Sequence, residues 1–433
     1  MSDTLLPMSY AGGGAEPLLR RTLRRRDAVI IGMGSMLGAG MFVVWAPASQ
    51  AAGPFILLSL LIVAVVAACN AYSSAMLAAR YPRAGGTYVY GTERLGEFPG
   101  YLAGWCFVVG KSASCVAMAL TLGAYVAPGY QRYAAVIAVL TVTAANLSGL
   151  QRSVRISGVI VSIVLAVLLG LAVSVVVASV AGNVVFDLRA GLTSTTPTSA
   201  HGVVQGAGLL FFAFAGYARI ATLGEEVRDP ERTIAQAIGI TFVVVLAIYT
   251  GLALLVLGVV GSDDVATSAA PVADVAQRVW GNGWVWAIRF AAACAAVGAL
   301  LNMLLGVSRT ALAMARDNHL PARLAAVSGP HHLPQRAELG VAAVVVVLAL
   351  ILDVRGAIGF SSFGVLLYYA VTNASAWTLH GDQWCTRVVP AVGLVGCLAL
   401  TAALPGESVL GGLIVVAVGI GWYAAMRRFR MAR

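Results

Sequence analysis

The chain has 433 residues, 60% of them hydrophobic and only 11% charged, with a mean hydropathy of +0.88. A soluble protein of this length needs far more charge to cover its surface, so the composition excludes the soluble classes and reads as an integral membrane protein. The net charge of +10 does not signal nucleic acid, because the arginines gather at the ends of apolar runs instead of forming one basic patch.

Met1 to Pro17 is a small polar tail, expected to be disordered. The apolar run that follows is too long for a cleavable leader and is succeeded at once by another. Crossing the hydrocarbon layer takes about 20 apolar residues, and windows of that length mark about 12 membrane-spanning helices. They lie at 28–50, 54–79, 99–127, 131–149, 155–181, 202–223, 235–260, 283–314, 337–352, 356–379, 388–404 and 408–426. The fourth, ninth and eleventh are short, and the eighth is overlong. The predicted fold class is an all-α multi-pass bundle in the lipid bilayer.

Orientation follows from the arginines. With the N-terminus in the cytosol, Arg24, Arg25, Arg26, Arg80, Arg83, Arg94, Arg152, Arg155, Arg228, Arg232, Arg316, Arg323, Arg336 and Arg427 all fall on the cytosolic side. Only Arg132, Arg189, Arg278, Arg289 and Arg355 fall outside, while Lys111 and Arg219 lie inside spans. This bias predicts cytosolic termini, and the expected location is a bacterial inner (cell) membrane. The six cysteines form no C-x-x-C pair, so neither a disulfide nor a metal is expected, and no cofactor.

Two look-alike motifs fail. "GMGSMLG" has the wrong spacing for a dinucleotide fingerprint, and "GWCFVVGKS" has five residues between the glycines where a phosphate loop has four. Both soluble motifs need a strand feeding a helix, and neither has one. No nucleophile–base set stands at membrane depth, so an enzyme is not expected.

The first span, "IIGMGSMLGAGMFV", carries Gly32, Gly34, Gly38 and Gly40. Glycine weakens a helix interior by about 1 kcal/mol relative to alanine. Within lipid, a broken backbone also leaves polar groups without partners, so a break survives only when buried in protein or lining a cavity. For an isolated pair such as Gly34 and Gly38, close helix packing is the simpler explanation. The sixth span alters that balance with Gly206, Gly208, Gly216 and the aromatics Phe211, Phe212, Phe214 and Tyr217. Glycine-interrupted spans in matching positions of two halves point to a transporter built from an inverted repeat. Half-helix ends there offer amides to an anionic group and carbonyls to an ammonium, which together suit an amino acid zwitterion.

Four segments carry a resemblance: "GMGSMLGAGMF", "YPRAGGTYVYGTERLGEFPGYLAGW", "FFAFAGYARIATLGEEVRDPERTIAQAI" and "GVSRTALAMARDNHLP". In this order they resemble the amino acid–polyamine–organocation superfamily of permeases, with the LeuT-type fold. The resemblance implies a five-plus-five inverted repeat with two extra helices, the first and sixth helices being unwound mid-membrane. It divides the chain into a basic N-terminal tail at 1–26, a transport core at 27–380, and two additional spans with a basic C-terminus at 381–433. "ATLGEE" resembles the cationic amino acid transporter branch.

By that resemblance, the amides of Gly38, Ala39 and Gly40 take the substrate carboxylate, and the carbonyls of Phe214, Ala215 and Gly216, beside Tyr217, help hold its amino group. Phe212 matches an aromatic that closes over bound substrate, with ordinary packing as the alternative. Asn302 and Met303 fall near a site-lining position of the eighth span. Asn302 is polar at mid-membrane and requires a partner. Arg219, Glu225 and Glu226 are candidates for the inward gate, where Arg219 pairs with one of the glutamates or faces the site. The segment "RYPRAGGTY" resembles a short helix that rides the cytosolic face and moves during gating.

The departures matter too. Val164 and Ala218 stand where some relatives carry a lysine and a glutamate, so familiar proton-coupling residues are missing, and Ala291 to Val307 contains no Ser or Thr, which disfavours sodium coupling by the second sodium site. Lys111 is the only lysine, placed within the third span one helical turn from Cys115. An ionisable residue at such depth is by default a functional hypothesis, and a buried lysine, unlike arginine, can exchange a proton. Lys111 is therefore the coupling candidate, with Cys115 beside it in the substrate site; bonding to neighbouring carbonyls for stability alone is the alternative. No Asp or Glu falls mid-membrane, which favours a neutral or acidic amino acid over a cationic one. The expected function is secondary amino acid transport by alternating access, coupled to protons. Exchange is the alternative coupling, and a transport-inactive sensor on the same scaffold is the alternative class.

Overall fold

The computed structural model describes residues 23–81, 85–148, 154–193, 198–221, 227–327, 334–379 and 384–431. The described residues form helices, turns and one isolated β-bridge, between Leu23 and Val227. Helix is the form that lets every amide in an apolar run bond within its own segment, with no help from water.

The first span is split. α1 (Arg25–Met36) ends before α2 (Gly40–Val43), which is followed by α3 (Trp45–Ala52). Then come α4 (Ile56–Arg80), a short α5 (Thr87–Leu95), α6 (Glu97–Val126), α7 (Gln131–Leu147) and α8 (Val154–Val180). A four-residue helix, α9 (Leu188–Gly191), leads to α10 (Ala200–Phe214), a 3-10 turn at Ala215–Tyr217 and α11 (Ala218–Ala221). The remainder comprises α12 (Pro230–Val259), α13 (Ser262–Thr267), α14 (Pro271–Trp280), α15 (Val285–Arg316), α16 (Gln335–Ile351), α17 (Val354–Trp377), α18 (Cys385–Ala403) and α19 (Gly406–Met431).

Local chemistry sets several of these ends. Asp27 accepts from the Arg24 amide at 2.8 Å where α1 begins, and Ser199 accepts from Gly202 at 3.0 Å where α10 begins. Such caps satisfy amides that have no partner within the helix. Pro230 occupies the first position of α12, where its missing N–H costs nothing.

Ten segments among the described residues are long and apolar enough to cross a membrane. The predicted short fourth and ninth spans appear as α7 and α16, each of 17 residues. The outer faces of α8, α12, α18 and α19 display large apolar side chains, among them Val173, Val177, Val243, Val395, Leu410 and Ile414. A water-soluble monomer does not expose apolar surface on this scale. The chain is a multi-pass membrane protein.

Helix packing follows a paired pattern. α1 packs on α12 as α10 packs on α4, and α1 packs on α8 as α10 packs on α17. Likewise α6 packs on α17 and α7, while α15 packs on α8 and α16. α18 lies against α17, α4 and α10, and α19 rests on α17 and α6.

One end of the bundle is tied by a polar cluster. Tyr88 of α5 donates to Asp317 at 2.5 Å and lies 2.9 Å from His319 Nδ1. His319 Nε2 is 3.0 Å from Glu97 Oε1, and Trp422 of α19 donates to the His319 carbonyl at 3.0 Å. The segment after α15 thereby holds α5, α6 and α19 together.

Candidate functional site

The two interrupted spans meet. Leu37 leaves the helical region at φ −78°, ψ 46°, and helix resumes only at Gly40. Among the described residues, the amides of Gly38 and Ala39 make no backbone hydrogen bond, and Gly38, Ala39 and Gly40 are all buried. Such amides are the donors that every helix start presents without a partner in the helix. In the sixth span the backbone does not open; it tightens into the 3-10 turn Ala215–Tyr217, one residue later than the predicted Phe214–Gly216.

The contact between the breaks depends on glycine. A Cβ on Gly216 would collide with the Ser35 carbonyl and lie 2.6 Å from its carbon, at the last turn of α1. A Cβ on Gly40 would lie 3.0 Å from the Ala213 Cα and 3.3 Å from the Phe212 ring. Gly38 backs onto α15, where a Cβ would stand 2.7 Å from that of Ala299. Gly34 has ordinary room, its nearest neighbour at 3.6 Å. Close packing and the break therefore coincide at Gly38, and Gly34 belongs to neither.

Three side chains from two other helices satisfy carbonyls at the breaks. Tyr249 of α12 donates to the Met36 carbonyl at 2.6 Å and lies 3.0 Å from the Ala213 carbonyl, spanning both spans. Tyr125 of α6 donates to the Phe42 carbonyl at 2.9 Å. Lys111, only 2% exposed, donates through Nζ to the Ala215 carbonyl at 2.9 Å. Next to Lys111, Gly110 and Gly364 let α6 and α17 touch backbone to backbone.

The other predicted residues separate into groups. Phe212 lies against Gly40, and Cys115 is fully buried on α6 one turn from Lys111. Phe214 turns towards α12, edge-on to Tyr249 at 5.0 Å, so only its backbone belongs to the break. Tyr217 points at α17, its ring 5.1 Å from that of Tyr369. Asn302 finds its partner in its own helix, donating to the Gly298 carbonyl at 3.0 Å, and Met303 packs against the core. It is Ala295 and Ala299 that α15 presents to Gly38. Arg219 is partly buried on α11, while Glu225 and Glu226 lie outside the described residues.

Sequence reading missed Tyr249, Tyr125 and one acid. A hydroxyl in an apolar run needs a partner, and that need was the available signal for both tyrosines. The acid is Glu338, in the first turn of α16 and 0% exposed. It lies at the end of a helix and not mid-membrane, so the expectation of no mid-membrane acid is untouched, yet the carboxyl is enclosed by packing.

A cavity of 430 Å³ lies elsewhere, beside Asp187, Leu257 and Arg278. Arg278 there donates to the Val259 carbonyl at 2.5 Å and pairs with Asp264 at 2.8 Å, so it serves as the cap of α12.

A multi-pass helical bundle whose two interrupted helices meet in its interior has the build of a membrane transporter. The chain belongs to the amino acid permease family, whose model matches residues 23–424; it is an amino acid permease of the amino acid–polyamine–organocation superfamily and not an enzyme. An uncharacterized transporter of Mycobacterium tuberculosis is 54% identical over 413 residues, covering 94% of this chain and 92% of the relative. The vacuolar cationic amino acid transporter 4 of Arabidopsis thaliana is 27% identical, over 84% of this chain and 64% of the relative. The branched-chain amino acid permease BcaP of Bacillus subtilis is 24% identical, over 95% and 94%.

Proposed function

We propose that this permease carries a neutral amino acid across a bacterial inner membrane by alternating access, coupled to protons, with both termini in the cytosol. The observation that carries the reading is the junction of the two breaks, where Gly216 meets Ser35 and Tyr249 spans Met36 and Ala213. Counting α7 and α16 as spans gives the 12 that about 20 residues per crossing suggests. Exchanging the first five spans with the second five maps the four helix pairs named above onto one another, which supports an inverted repeat of the LeuT type.

In this reading the amides of Gly38 to Gly40 hold the substrate carboxylate, and the turn at Ala215 holds the amino group. Phe212 covers the bound molecule, and Ala295 and Ala299 form an apolar wall. When protonated, Lys111 places a cation on the Ala215 carbonyl, which disfavours a second cation on the substrate side chain. The branched-chain relative fits this choice better than the cationic ones do.

The test is uptake of labelled amino acids into proteoliposomes with and without an inward proton gradient, comparing wild type with Lys111→Ala. Gradient-stimulated uptake of a neutral amino acid, lost in Lys111→Ala, is expected. Failure of every amino acid to enter or exchange would sink the transport reading, and wild-type proton dependence in the variant would remove Lys111 from coupling.

A further inference from the structure

Glu338 is not explained by the substrate site. It is 0% exposed, and both of its carboxyl oxygens lack a hydrogen-bond donor among the described residues. Among the described residues, α16 packs chiefly on α7, α6, α15 and the 3-10 turn Ala322–Ala325. From α7 comes Asn146, 1% exposed, which acts on the Glu338 carboxyl. Its amide nitrogen lies 3.4 Å from the Leu301 carbonyl, and its amide oxygen also has no donor. From α15 comes Arg309, whose charge acts on Glu338 without closing an ion pair with it. Arg323 on the 3-10 turn and Arg336 on α16 itself are exposed, and the lysine of α6 is bonded to Ala215.

A carboxylate buried this way is costly. An ionised group sealed from water loses several kcal/mol of solvation, which Asn146 and the Arg309 charge offset only in part, because neither closes a hydrogen bond to the carboxyl. A neutral carboxyl brings its own donor, and Asn146, the polar side chain that acts on it, has an amide oxygen in want of one. A proton on Glu338 removes the buried charge and supplies a donor that the amide oxygen can take.

We propose that Glu338 is a proton-binding site, separate from the substrate site, that takes up and releases the coupled proton as the bundle changes conformation. The link to the substrate runs through α15. Asn146 lies at the Leu301 carbonyl, and Ala299, two residues earlier on the same helix, is the residue that meets Gly38. Loss of the proton leaves a charge that draws Asn146 and Arg309 towards it and shifts the hold on α15. The coupling role rests on the transport reading; the bound proton does not.

Two measurements on the full chain in liposomes decide the matter. Infrared difference spectra at neutral pH should show a protonated carboxyl band that Glu338→Gln abolishes and that Lys111→Ala leaves in place. Asn146→Leu should move that band, because its hydrogen-bond acceptor is gone. With an inward proton gradient, Glu338→Gln should keep exchange of labelled for unlabelled substrate but fall to simple equilibration, losing gradient-driven accumulation. A spectrum without the band, or one that Glu338→Gln does not alter, overturns the proton site. Wild-type accumulation by Glu338→Gln overturns the coupling role. Should wild type move no amino acid at all, the transport reading and with it the coupling role fall, and the infrared arm still decides the proton site.

Discussion

Replacing Tyr249 with phenylalanine isolates the tie between the two broken spans. The ring, which stacks edge-on with Phe214 at 5.0 Å, is kept, and only the hydroxyl is lost. That hydroxyl donates to Met36 at 2.6 Å and lies 3.0 Å from Ala213, all three residues being buried. Its single hydrogen serves mainly the nearer carbonyl, so one buried acceptor is left without a donor, at a cost of about 1–3 kcal/mol. If that energy holds the breaks in register, its loss depopulates the binding-competent arrangement. Apparent affinity then falls by the same factor, about 5- to 150-fold. Equilibrium binding of labelled substrate to purified protein measures the effect directly, and uptake at saturating substrate separates weak binding from slow turnover. Binding within twofold of wild type, in a correctly folded variant, would show that Tyr249 does not hold the site and that the junction is ordinary packing.

Gly216→Ala should abolish binding, because the added methyl meets backbone at Ser35 that cannot yield, whereas Gly34→Ala should bind normally and gain about 0.5–1 kcal/mol of helix stability. Paired binding and thermal-unfolding measurements check both, and equal behaviour of the two variants would deny the breaks any special place. Tyr88→Phe removes the hydroxyl that joins Asp317 and His319, so amide exchange should speed up across α5 while α8 stays at its wild-type rate. Exchange unchanged in α5 would mean that the cluster at the end of the bundle holds nothing.

Much of this protein was legible in one dimension. Long apolar runs have a single solution in lipid, so their length gave the helical bundle, with helices α7 and α16 at two of the short windows and ten segments among the described residues long enough to cross. The two glycine-rich spans could be paired by position alone, and Lys111 stood out because a charge among apolar residues needs a reason. What the linear order could not carry was distance. Gly34 and Gly38 are indistinguishable as letters, yet one has room for a methyl group and the other backs onto Ala299. Phe212 and Phe214 are two residues apart, but only Phe212 turns its ring to the first break.

Tyr249 reads as one more aromatic in an apolar run until folding brings Met36 and Ala213, 213 and 36 residues away, to its hydroxyl. Glu338 reads as a surface acid at the edge of a span until α6, α7 and α15 close over it. Composition and periodicity determined what kind of protein this is, because the bilayer accepts so few forms. Which polar groups meet inside it was decided only by tertiary packing, because a hydrogen bond depends on ångströms that sequence spacing does not encode.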